Sequence, residues 1–239
     1  MTFPQFCEQL EARIAKYDLL CHPFYKAWAA GELTREDLRA YAADYYPHVA
    51  AFPEHLGKLA ARTLDGGLRG ALLTNRADEL GADYPGGRPH QELWLDFAEG
   101  MGAQRQEVRG HSPIPEIQEL MAAFRRVAEE GSAAEALAAF YAYESQVPRV
   151  AKEKARGLRE RYGADPSTRG YFTLHQTADV HHAQVWKEQL ERELAADPEA
   201  ADGALDAAEA AARALWKALD GIEERRAGRH AAVADLKTQ

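Results

Sequence analysis

Apolar residues recur at intervals of three and four along nearly the whole chain, and no stretch alternates with period two between β-branched residues. The pattern predicts an all-helical protein. Capping chemistry marks the starts: Thr34 precedes Arg35, Glu36 and Asp37, Ser112-Pro113 precedes IPEIQELMAAF, and Asp165-Pro166-Ser167 opens a run towards Leu194. The reading is a bundle of about seven helices, built from segments near 3–17, 20–30, 35–62, 67–81, 89–102, 113–130, 132–161, 167–195 and 199–225. The first two segments are candidates to join, and 35–62 is expected to bend at Pro47 or Pro53. GADYPGGRPH (81–90) holds three glycines and two prolines and reads as a loop. No long linker or repeat divides the chain, so residues 1–225 read as one helical domain and the polar stretch 226–239 as a flexible tail.

Composition narrows the class. The chain has 239 residues, 46% apolar and 28% charged, which suits a globular core and excludes a fibre or a disordered chain. A net charge of −9 argues against nucleic acid and anionic lipid as partners. Neither a membrane span nor a basic, apolar leader is evident, so the expected location is cytoplasmic. Cys7 and Cys21 form no C-x-x-C pair, so any metal must be held by nitrogen and oxygen.

Three clusters carry candidate chemistry. In YFTLHQTADVHHAQVW, His175, Asp179 and His182 stand at i, i+4 and i+7; on one continuous helix their offsets are about 40° and about −20°, a single stripe. His181 falls about 120° off it. In AFYAYESQVPRVAKEK, Glu144 follows the apolar stripe of Tyr141, Val147 and Ala151, and a buried carboxylate must be neutralised, paired with Arg149 or Lys154, or bound to a cation. Third, Glu79 closes one predicted helix and His90 opens the next, so both can face one interior across the loop. These six residues supply three carboxylates and three imidazoles. Two divalent cations would leave a net single positive charge for a bridging anion, the charge logic of a dinuclear oxygen-activating site. Aromatics crowd the first third of the chain, Phe24, Tyr25, Trp28, Tyr41, Tyr45, Tyr46 and Phe52. Most read as core, although a tyrosine beside an oxidising metal is also redox-active.

HPFYKAWAAGELTREDLRAYAADYYPHVAAFP, YAYESQVPRVAKEKARGL and YFTLHQTADVHHA resemble the CADD-like branch of the haem-oxygenase-like di-metal oxidases, over about residues 15 to 195. The resemblance implies a single haem-oxygenase-like bundle and an O2-dependent di-metal oxidoreductase that makes para-aminobenzoate for folate biosynthesis. It implies Glu79, His90, Glu144, His175, Asp179 and His182 as ligands of two iron or manganese ions, or one of each. It further implies that the protein is its own substrate, Tyr25 giving the ring and Lys154 the amino group, with O2 and an external reductant consumed. Tyr45 and Tyr141 remain alternatives to Tyr25. Lys152 is turned from Lys154 by about 200°, so only one of the two can face the site. Glu79 and His90 are eleven residues apart where the family usually has seven, which makes Asp83 an alternative to Glu79. The electron donor is unspecified, and because relatives are often dimers a homodimer is a candidate assembly. Two other readings stand beside this one: a multiple-turnover oxidase or oxygenase acting on a diffusible small molecule, and a protein-interaction module.

Overall fold

The computed structural model describes residues 1–82 and 87–237. Asp83 lies outside them. Twelve α-helices and two short 3-10 helices (Leu19–Cys21 and Pro198–Ala200) make up the described chain; the α-helices are α1 (Phe3–Ala15), α2 (Pro23–Ala30), α3 (Arg35–Arg62), α4 (Gly66–Glu79), α5 (His90–Gly100), α6 (Arg105–Arg109), α7 (Pro115–Glu129), α8 (Ala133–Glu144), α9 (Val147–Arg161), α10 (Gly170–His175), α11 (Ala178–Ala196) and α12 (Ala201–Lys237). There is no strand among the described residues, and no helix there is long and apolar enough to cross a membrane.

The axis of the bundle is α8. From Ala136 to Glu144 every residue is buried, because alanines on all sides let α7, α11 and α12 approach closely while Phe140 fills the space between them. A second layer packs α3 against α4, α5 and α7, and α10 lies between α5 and α9. The start of α3 follows the expected signal: the Thr34 hydroxyl accepts from the Asp37 amide, and the Asp37 carboxylate accepts from the Thr34 amide. The helix runs unbroken through Pro47 and Pro53.

Four boundaries differ from the periodicity. The segment 132–161 is two helices, because Pro148 sits in the first turn of α9, where its missing N–H costs nothing. The segment 167–195 is also two helices, α10 ending at His175 and α11 beginning at Ala178. A short α6, too brief to show a period, lies between α5 and α7. Finally, α12 continues past Arg225 to Lys237. Its polar end is held by specific pairs rather than by burial of a stripe: Arg226 binds Glu223, while Arg229 and His230 both donate to the buried Asp37 carboxylate.

Candidate metal centre

The six candidate ligands come from five helices and converge in the interior, all at least nine-tenths buried. Glu79 is the last residue of α4 and His90 the first of α5; across the connecting loop their Oε2 and Nδ1 atoms are 2.9 Å apart. His175 closes α10 with its ring against that of His90, centroids 4.5 Å apart. The His175 Nδ1–H donates to the Tyr171 carbonyl four residues back (2.7 Å), which leaves Nε2 as its free ligand atom. Glu144 ends α8, and Asp179 and His182 lie in the first turns of α11. The single-stripe reading of His175, Asp179 and His182 is therefore corrected: a helix break separates the first from the other two, and tertiary packing brings the three together.

Two trios could each hold an ion, their ligand atoms all within 4.8 Å of one another: Glu79, His90 and His175, and Glu79, Glu144 and His182. Glu79 is common to both. Asp179 joins neither trio, but its Oδ1 is 3.4 Å from His182 Nδ1. His182 Nδ1 and Asp179 Oδ1 are buried with no hydrogen-bond partner among the described residues, and His90 Nδ1, although 2.9 Å from Glu79 Oε2, is not aligned to share a hydrogen bond with it. Buried polar atoms left unpaired are costly, and a cation at these trios would satisfy the two imidazole nitrogens. The cavity they border, about 10 Å³ between Glu79, Glu144, His175 and Asp179, admits about one water-sized group.

The electrostatics agree with a cation-binding donor set. Burial disfavours charge on Glu79, yet the His90 imidazole holds its carboxyl below the usual range. Burial and the Glu144 carboxylate push Asp179 up to about 7. Burial also works against an imidazolium at His182, but Asp179 and Glu144 override it and raise the group to about 11. His175 is pushed down to about 3 by burial and the neighbouring His90, so it presents a neutral ring.

Several residues that shape the centre escape the sequence reading. His182 Nε2 hydrogen-bonds the Asp78 carboxylate (2.8 Å), so Nδ1 is the atom turned to Glu144 and Asp179. Asn75 Nδ2 donates to Glu144 Oε1 (3.4 Å), and Trp186 Nε1 donates to Glu144 Oε2. Glu144 thus pairs with neither Arg149, which binds Asp18 on the surface, nor Lys154. Asn75, Trp186 and Tyr171 each stand four residues along a helix from a ligand, a spacing that could have found them.

A second chamber adjoins the first, with Tyr143 and Tyr171 lining both. Its volume is about 30 Å³, and Tyr25, Tyr45 and Lys154 are on its wall. Lys154 is buried and Lys152 exposed. Lys154 Nζ donates to Tyr25 Oη at 2.8 Å and to Tyr41 Oη at 2.6 Å, and lies 4.2 Å from the centre of the Tyr25 ring. With no carboxylate partner among the described residues, burial drives its ammonium well below the usual lysine range, and burial drives Tyr25 the other way. Tyr45 has its ring centre 5.9 Å from Nζ, and Tyr141 lies near Glu11, Cys7 and Lys187 and does not line the chamber.

Comparison with known proteins agrees with this geometry. The chain is 40% identical over 222 residues to the 4-aminobenzoate synthase of Chlamydia trachomatis serovar D, covering 92% of this chain and 93% of the relative. It is 38% identical over 234 residues to the 4-aminobenzoate synthase of Nitrosomonas europaea, covering 94% and 93%. Among solved structures, a domain with a haem-oxygenase-like fold from Shewanella denitrificans superposes with a TM-score of 0.78 at 17% identity over 94% of this chain and 93% of its own. A model of the iron-containing redox enzymes matches residues 39–216, a span that holds all six side chains above, and the chain is accordingly an oxidoreductase that belongs to that family.

Proposed function

We propose that this chain makes para-aminobenzoate, taking the ring from its own Tyr25 and the nitrogen from its own Lys154, with O2 and externally supplied electrons as co-substrates. Support for the product is the name carried by relatives 38–40% identical over more than nine-tenths of the chain. Support for the internal substrate is one observation: Lys154 Nζ rests 2.8 Å from Tyr25 Oη in a chamber of about 30 Å³, too small for an organic substrate.

Two iron or manganese ions, or one of each, held by Glu79, His90, Glu144, His175, Asp179 and His182, would supply O2 activation and oxidising power. The rest is the work of this chain's side chains. Desolvation keeps Lys154 neutral, so its nitrogen has a lone pair to offer. Its position beside Tyr25 Oη sets it against the ring carbon that carries oxygen in tyrosine and nitrogen in the product. Para-aminobenzoate has one carbon opposite its nitrogen; the Tyr25 Cβ would become that carboxyl carbon, with the Cα–Cβ bond and the Lys154 Cε–Nζ bond both broken. Tyr143 and Tyr171, the shared wall of the two cavities, keep bulk water from the path between metal centre and ring.

The test is peptide mass spectrometry of the metal-loaded full chain after exposure to O2 and a chemical reductant. The expected result is loss of mass at Tyr25 and Lys154 with at most one product per chain. Product formed beside intact Tyr25 and Lys154 would overturn the proposal, and more than one product per chain would favour a multiple-turnover oxidase.

A further inference from the structure

Tyr41 enters no ligand set and lines neither cavity, yet it is fully buried and its hydroxyl touches both reacting groups proposed above. Lys154 Nζ donates to Tyr41 Oη at 2.6 Å, and Tyr41 Oη lies 3.3 Å from Tyr25 Oη. With the direct Nζ to Tyr25 Oη contact at 2.8 Å, the three polar atoms close a triangle. The Tyr41 ring cannot swing away, because Phe24, Trp28, Tyr45, Trp94 and Phe97 pack around it.

We infer that Tyr41 is the proton-transfer residue for nitrogen entry, passing a proton from Lys154 Nζ to the departing oxygen of Tyr25, an inference that rests on the self-consuming reading. The chemistry sets the requirement. Once Tyr25 has given up two electrons and two protons to O2, the oxidant that metal ions held by the six ligands would activate, Cζ carries a carbonyl oxygen and Cγ is double-bonded to Cβ. The Nζ lone pair attacks Cζ, a C–N bond forms, and the C–O bond breaks as the oxygen leaves as water. That water takes both N–H protons of the neutral amine, and no electrons are exchanged in the step. Two protons must therefore travel from one nitrogen to one oxygen, and the triangle supplies two routes. One is the direct hydrogen bond; in the other, Tyr41 Oη accepts from Nζ while its own O–H donates to the Tyr25 oxygen. Tyr41 itself stays intact, since its ring lies outside the chamber that Tyr25 faces.

The experiment compares wild type with Tyr41→Phe in the full-length, metal-loaded chain, using peptide mass spectrometry to score Tyr25 oxidation and nitrogen entry separately. Expected is ring oxidation near the wild-type rate with nitrogen entry slower by about 100-fold, the usual weight of one general acid–base group. A second readout needs no metal: in the metal-free protein with lysines labelled at Cε, the Lys154 resonance, identified by its loss in Lys154→Arg, should move on Tyr41→Phe, while that of Lys152 should not. Should Tyr41→Phe fail to fold, 3-fluorotyrosine at position 41 keeps the shape, lowers the phenol pKa, and should shift the pH profile of nitrogen entry. A wild type that makes product with Tyr25 and Lys154 intact overturns the underlying reading and this inference with it. A wild type that loses both residues beside a variant that loses them equally fast, an unmoved Lys154 resonance, or an unshifted profile overturns this inference alone.

Discussion

His48 and His55 are the two imidazoles of α3 that the proposed chemistry does not use, and they set how the protein should respond to acid. All four ring nitrogens are buried without a hydrogen-bond partner among the described residues. His48 is walled by Tyr45, Phe124 and Tyr143, and His55 stacks near Phe124. Burial, with His55 adding to it, pushes His48 from 6.5 down to about 3. Burial and Lys58 push His55 down to about 4. Below pH 6.5 the unfolded chain therefore takes up protons that the folded chain refuses, so stability is full above 6.5 and falls with pH until the folded values are reached. At pH 5 each ring costs about 2 kcal/mol relative to pH 7, about 4 kcal/mol for the pair. Metal-free protein adds contributions from the metal-site groups in the same window: His175, pushed down to about 3, destabilises as pH falls, while Asp179, pushed up to about 7, and His182, pushed up to about 11, stabilise. All three are shared by the wild type and the double variant and drop out of the difference between them. The assay is urea denaturation of the metal-free wild type and of His48→Phe/His55→Phe at pH 7 and pH 5. The wild type should lose about 4 kcal/mol more than the double variant over that interval. Equal losses would refute the idea that these two rings are held neutral by burial.

Three further outcomes are expected. Asp78→Asn weakens the acceptor that turns His182 Nδ1 inward, so affinity for iron or manganese, measured by chelator competition, should fall about 10-fold to 100-fold, and unchanged affinity would remove Asp78 from the site. Gly157→Ala would set a Cβ 2.8 Å from Trp28 Cδ1; overpacking against the indole costs about 1–3 kcal/mol and outweighs the gain of about 1 kcal/mol in helix propensity, so the midpoint of denaturation should drop. Ending the chain after Arg225 removes Arg229 and His230 from the buried Asp37, and a loss of about 2–3 kcal/mol is expected in thermal unfolding; no loss would mean that the Thr34 cap alone satisfies that carboxylate.

The helical class and the ends of α3, α4 and α5 are legible in the sequence because caps and glycines act locally. The break at Gln176-Thr177 is not, since the apolar spacing continues across it and only packing decides, and the one at Ser145-Gln146 is hidden from the spacing and marked by Pro148 alone. The same limit applies to the centre. Residue types select His175, Asp179 and His182 from one short segment, but the phase argument that joins them assumes a continuous helix the fold does not form. Asp78 and Tyr41 were invisible for another reason. Each matters through one hydrogen bond to a residue far away in the chain, 104 positions for Asp78 to His182 and 113 for Tyr41 to Lys154, and periodicity carries no information at that range.

The meeting of Glu79 with His90 is made by the final residue of one helix and the opening residue of the next. Because two rigid ends fix the pair, the number of residues strung between them is uncoupled from the distance between their ligand atoms. Insertions and deletions at this junction can therefore accumulate over evolutionary time without detuning the metal centre, and a search pattern for such oxidases should anchor on helix termini and let the interval vary.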